Sequence, residues 1–167
     1  KSGAFGQINL QTIKDEPTSG RGDFRFCLRN GDTDNLVTLP LFSFSVFDLD
    51  ERGNNKPIKE KLTANLNDGK YESFQLYPDT QIEISCEDPN ESYPSCDTSR
   101  TVFKSTEDGT NEDNPTDPDN LTQLQLKRSI AFTFKDTNCF EFTYDHYCPY
   151  DQPNYNGEFG NHDDCRA

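Results

Sequence analysis

The chain has no Met, no Trp and only two His in 167 residues, and its 16 Lys and Arg are outnumbered by 30 Asp and Glu. Each shortage removes a class of function. A net charge of −14 repels a phosphate backbone, so nucleic acid is not an expected partner. The two His lie in the last part of the chain, and no G-x-S-x-G, phosphate-loop or H-E-x-x-H pattern occurs. No enzymatic activity is therefore expected, although a carboxylate pair placed by the fold, as in glycosidases, leaves no sequence signature. No apolar run approaches the length of a membrane span, and no signal peptide remains in the sequence. Without an initiator Met, the sequence reads as starting after a processed end or as a fragment.

Hydrophobic residues make up only 31%, so any core must be thin, yet 13 Phe and 7 Tyr are available to fill it. These aromatics sit in alternating runs. Phe5–Ile13, Phe24–Arg29, Leu41–Asp50, Lys59–Asn65, Tyr71–Tyr77, Gln81–Cys86, Thr101–Ser105 and Cys139–Tyr144 all read as strands. The longest run, "LTQLQLKRSIAFTFKD", puts Leu124, Leu126, Ile130, Phe132 and Phe134 on even positions and reads as strand throughout. Turn signals "RNGD", "ERGNN", "NDGK" and "EDGT" separate the runs, and no amphipathic helix is expected. About nine short strands predict an all-β fold, an antiparallel β-sandwich of jelly-roll or immunoglobulin-like type. The expected organisation is an N-terminal strand (1–13), a sandwich domain (14–144) and a stapled tail (145–167), with Glu107–Asn120 as a long acidic loop.

Six Cys, an even number, predict three disulfides and an oxidising compartment, hence a secreted, extracellular protein. Cys27 and Cys139 point to the polar sides of their strands, as a cross-strand bridge between neighbours requires. Cys86 and Cys96 flank a short Pro-containing loop, which leaves Cys148 and Cys165 for the tail. A competing arrangement is zinc held by His146, Cys148, His162 and Cys165, whose spacing matches no common finger.

Period-two alternation places Asp48 and Asp50 on the same face as Phe42, Phe44 and Val46. Two explanations stay open. Either the strand leaves the sheet after Phe47 and the carboxylates meet water or cap a turn, or they bind a cation. Calcium needs six to eight oxygens, and Asp48, Asp50 and Glu51 with Asp113, Asp117 and Asp119 are the candidate ligands. The acidic loop lacks the EF-hand pattern, and calcium is the one cofactor considered. Asn90 ("NES") and Asn120 ("NLT") are candidate N-glycosylation sites, whereas Pro115 excludes Asn114. "RGD" at Arg21–Asp23 is a weak adhesion signal, and Tyr144, Tyr147, Tyr150 and Tyr155 either form a sugar platform or divide, with Tyr144 in the core and the other three covering the tail.

The segments "FGQINL", "DFRFCLRNGDTDNLVTLPLFSFSVFDLDE", "DNPTDPDNLTQLQLKRSIAFTF" and "CFEFTY", spanning most of Phe5–Tyr144, resemble a family of mostly uncharacterised secreted β-sandwich proteins from microalgae and other protists. The most specific element is the aromatic strand ending in "FDLD". The chain also resembles protomers of extracellular helical glycofibrils from environmental water. That resemblance implies a structural protomer polymerising head to tail as a homo-oligomer, with N-linked glycans outside. The residues offer a route: an alternating strand carrying Phe5, Ile8, Leu10 and Ile13 precedes the linker-like "KDEPTSGRGD". Such a strand pairs either with its own sheet or with a neighbour's open edge, and the second choice propagates a filament. The negative charge opposes close packing unless cations relieve it. The expectation is thus a non-enzymatic protomer of a secreted, glycosylated filament or coat. The alternative is a calcium-dependent carbohydrate-binding or adhesion module.

Overall fold

The computed structural model describes residues 6–8, 10, 20–51, 58–110 and 112–147. Among them are eight strands: β1 (Gly20–Cys27), β2 (Leu39–Val46), β3 (Lys59–Ala64), β4 (Tyr71–Leu76), β5 (Ile82–Cys86), β6 (Thr101–Ser105), β7 (Ile130–Thr137) and β8 (Cys139–Tyr147). They form a five-stranded sheet in the order β1-β8-β3-β6-β5 and a three-stranded sheet in the order β2-β7-β4. All strand pairings are antiparallel, and the protein is a β-sandwich.

Alternation builds the interior directly. In the small sheet Phe42, Phe44 and Val46 of β2 stand opposite Phe134, Phe132 and Ile130 of β7. In the large sheet Phe26 stands opposite Phe140, and Phe24 opposite Phe142. The two faces meet ring on ring. Phe44 lies 4.9 Å from Phe140, Phe132 lies 4.9 Å from Phe142, and Phe103 meets Phe132 edge to face at 5.4 Å. Phe103, Phe132 and Phe134 are completely buried. Offset and edge-on aromatic contacts of this kind add about 0.5–1.5 kcal/mol per pair beyond area burial. A chain poor in aliphatic residues thus reaches a dense core through its rings.

The disulfides follow the register. Cys27 and Cys139 are directly opposed on β1 and β8 with Cα atoms 4.2 Å apart, and Cys86 is bonded to Cys96. Both pairings match the sequence expectation, and Cys148 and Cys165 lie outside the described residues. Two strand expectations are corrected. Gln123–Lys127, which alternation reads as strand, is the short helix α1. Thr122 and Gln125 form a reciprocal capping box at its start, a local bonding pattern that alternation counts do not register. Alternation also predicts Leu41–Asp50 extended to its end, but β2 stops at Val46 and Asp48 has φ 64°. Smaller shifts concern the domain borders. Arg21–Asp23 lie within β1, and β8 runs to Tyr147, past the expected boundary at Tyr144. Gly6–Ile8 and Leu10 are in no strand, while Phe5 and Ile13 lie outside the described residues.

Phe132→Ala is expected to cost about 3–5 kcal/mol in urea denaturation, because the ring fills the sandwich midplane. Phe24→Ala, at the half-buried margin, is expected to cost less than half as much.

Candidate functional site: a carboxylate cluster at the mouth of an inter-sheet cleft

The left-handed turn at Asp48 answers the alternation puzzle. It shifts the side-chain parity by one, so Leu49 is buried where continued alternation would have exposed it. Asp tolerates this backbone region better than most residues. Asp48 and Asp50 are then half-buried beside the core rather than in it. The segment is fixed on both sides. Leu49 N–H donates to Arg128 O at 3.0 Å, Glu51 N–H to Glu107 O at 2.9 Å, and Asp50 N–H to Glu60 Oε2 at 3.5 Å. Gly109 makes room for the carboxylate, since a Cβ at that position would fall 2.5 Å from Asp50 Oδ2 and push the side chain aside.

The acidic loop supplies the third carboxylate. Asp113 is 0% exposed and accepts from Thr110 N–H at 2.7 Å. Its charge is met by the buried guanidinium of Arg128, whose Nη1 contacts Asp113 Oδ2 and lies 3.5 Å from Asp50 Oδ2. The remaining donors of Arg128 reach Asp108 O and Gln81 Oε1, each at 2.8 Å. Gln125, the buried residue of α1, donates to Glu112 O at 3.3 Å and Asn114 O at 3.2 Å, which holds the loop against the sandwich.

Asp48, Asp50 and Asp113 each present a carboxylate oxygen within 4.8 Å of the others. Asp48 Oδ1 is buried without a hydrogen-bond partner. Glu60 completes the group from β3, hydrogen-bonded to the Tyr144 hydroxyl. Asp48, Asp50 and Asp113 therefore share one guanidinium, Arg128, with Glu60 beside Asp50. The electrostatic consequence is retained protons. Burial, reinforced by the charges of Glu60, Asp48 and Asp113, pushes the Asp50 carboxyl up to about 8 against the opposing pull of Arg128. Burial raises Glu60 to about 7, and burial with the charge of Asp113 raises Asp48. The Tyr144 hydroxyl is raised by burial and by the Glu60 charge. In chemical terms the cluster is a set of hard oxygen donors that would have to release protons to take a cation.

Of the six candidate ligands, the fold brings together Asp48, Asp50 and Asp113 and not the other three. Glu51 turns away and ion-pairs with Lys59. Asp117 and Asp119 are exposed, and Asp117 Oδ1 accepts from Asp119 N–H at 3.1 Å. The parts that Glu60, Arg128 and Tyr144 play in the cluster are not foreseen from the sequence. A signal for Glu60 is nevertheless present, because in β3 it shares its parity with the core residues Leu62 and Ala64.

The cluster stands at one end of a cleft of about 1080 Å³ between the sheets. Phe24, Phe26, Phe44 and Phe142 line its length, Asp48 and Glu60 its acidic end, and Gly6–Ile8 border it. Elsewhere, Asn90 is exposed within the Cys86–Cys96 loop, with its Nδ2 donating to Asp88 Oδ1 at 2.8 Å. Asn120 is exposed just ahead of the Thr122 helix cap. Tyr147 is buried under Lys61, whose Nζ sits 4.9 Å from the ring centroid, so it is not a free sugar platform. Tyr150 and Tyr155, and the zinc candidates Cys148, His162 and Cys165, lie outside the described residues.

A pH dependence follows from the raised carboxyls. Free Asp and Glu titrate near 4 in the unfolded chain, so the folded state binds more protons between there and about pH 8. Stability in metal-free buffer is expected to fall as pH rises from 5 to 8. Asp50→Asn is expected to flatten that slope in denaturant titrations, and an unchanged slope would remove Asp50 as its source. Arg128→Met is expected to cost about 3–5 kcal/mol, because Asp113 is left buried and uncompensated. No family model, curated protein or solved structure matches the chain.

Proposed function

We propose that this protein is a non-enzymatic structural protomer of a secreted, glycosylated extracellular filament or cell coat, joined to its neighbours through strand or edge contacts. The observation that carries this reading is the character of β2. Among the described residues the sandwich has four edge strands, β1 and β5 in one sheet and β2 and β4 in the other. Edge strands invite pairing with other chains unless charge blocks them. β1 carries Arg21, Asp23 and Arg25, β4 carries Glu72, and β5 carries Glu83. β2, "LPLFSFSV", carries no charge over eight residues and exposes Leu41 to 61%. In a chain that is 28% charged, an edge guarded only by Pro40 near its start, and open from Leu41 onward, is the place where a neighbour adds. The two disulfides are compatible with an extracellular setting.

At about 0.15 M salt, where charges are screened beyond about 8 Å, the protein is expected to elute as large assemblies and to appear as fibrils or sheets in negative stain. Leu41→Lys with Ser45→Glu, both on exposed positions of β2, is expected to leave folded monomer. A wild-type chain that stays monomeric at high concentration and salt sinks the reading.

A second reading is favoured by one observation of its own. The convergence of Asp48, Asp50 and Asp113 around the unpartnered Asp48 Oδ1 fits a calcium-dependent carbohydrate-binding or adhesion module. Millimolar Ca²⁺ is then expected to raise Tm reversibly with chelator, and Asp48→Asn to abolish the response. An identical melting curve with Ca²⁺ and with chelator would end this reading.

A further inference from the structure

We propose that the inter-sheet cleft is a strand-acceptor site, filled by the stretch carrying Gly6, Ile8 and Leu10 of a second copy of this chain. The inference rests on the protomer reading and specifies its joint. The first support is the wall. Ser43 to Leu49 line the cleft consecutively, with both side-chain parities represented. Ser43–Val46 of that wall belong to β2, which is bonded to β7 on one edge and unpaired on the other among the described residues. The facing wall is Phe24 and Phe26, alternate residues of β1. An extended segment between them bonds to the β2 edge and sets every second side chain on the rings.

The second support is a seat. Gly22 lies in the middle of β1, where glycine marks a close approach. A Cβ there would fall 2.5 Å from the Phe24 ring, and Leu10 Cδ2 sits 3.6 Å from the same point. The Phe24 ring folds over Gly22, and Leu10 packs beside it.

The third support is incompleteness. Within one chain, Gly6–Ile8 border the cleft without forming a strand, and Ile8 stays 45% exposed. Own-chain docking has the advantage of high effective concentration, so exchange is expected to dominate at high protein concentration.

The fourth support is charge. Ser2–Ile13 and Asn35–Phe47 are the two longest stretches of the chain without Asp, Glu, Lys or Arg. The second contains all of β2, and the first contains the proposed donor. Two copies with −14 each meet through their neutral segments, which is where repulsion is smallest.

The test uses two exposed positions on the cleft, Gln7 and Ser45. Gln7→Cys and Ser45→Cys full-length chains are co-expressed and treated with a short bis-maleimide under non-reducing conditions. Exchange predicts a covalent heterodimer from the mixed single variants and a ladder from the double variant. An internal cross-link alone in the double variant, with large assemblies still present, overturns the inference and leaves the protomer reading standing. The absence of any cross-link in such assemblies overturns it equally. If no assemblies form at all, the protomer reading fails and the inference falls with it.

Discussion

One buried guanidinium closes the open end of this sandwich. Arg128 ties the turn after β2, the acidic loop and the residue ahead of β5 to the short passage between α1 and β7. Backbone contacts join the same segments, with Glu51 bridged to Asp108 and Leu49 N–H donating to Arg128 O. Arg128 adds the side-chain tie, and without its charge Asp50 and Asp113 would face each other uncompensated, the loop 107–119 keeping its bonds to Glu51 and Gln125. Buried ion pairs contribute little net stability when compared with apolar replacements. Their effect is on which arrangement is adopted, and here the arrangement holds three carboxylates within one small volume.

The core and the surface are separated with unusual sharpness. Rings make up eleven of the twenty core residues, and most charges lie outside the core, Glu51 and Asp145 being buried in ion pairs of their own apart from the cluster. That separation explains how 31% hydrophobic residues suffice. Each buried ring removes more apolar area than an aliphatic residue and brings directional contacts besides. It also explains why the uncharged β2 edge stands out, since the other margins are laced with ion pairs such as Arg25–Glu141 and Lys104–Glu83.

Much of the sandwich is legible in the amino-acid sequence. Alternation places Phe42, Phe44, Phe132 and Phe134 inward, and the polar-side positions of Cys27 and Cys139 identify their bridge. Two features are hidden for physical reasons. A reciprocal cap between Thr122 and Gln125 outweighs even-spaced leucines, because it satisfies backbone groups that hydrophobic periodicity does not count. Arg128 looks like a linker residue between two apolar runs, since its partners come from parts of the chain 15 to 78 residues away. The carboxylate cluster is half visible. Asp48 and Asp50 are conspicuous on a strand end, while Glu60 is masked by its lysine neighbours.

The Cys27–Cys139 bond has a mechanical meaning. Tension applied to the chain ahead of Gly20 enters the sandwich along β1, an edge strand that among the described residues pairs with β8 alone. Hydrogen bonds on that edge are free to peel one after another from Gly20 onward. The bond sits at the far end of the same strand, so at most its eight residues strip before a covalent link takes the load and passes it to β8. Extension of each domain under pull is thereby capped at a short, recoverable length, and the aromatic interior is shielded from being drawn apart.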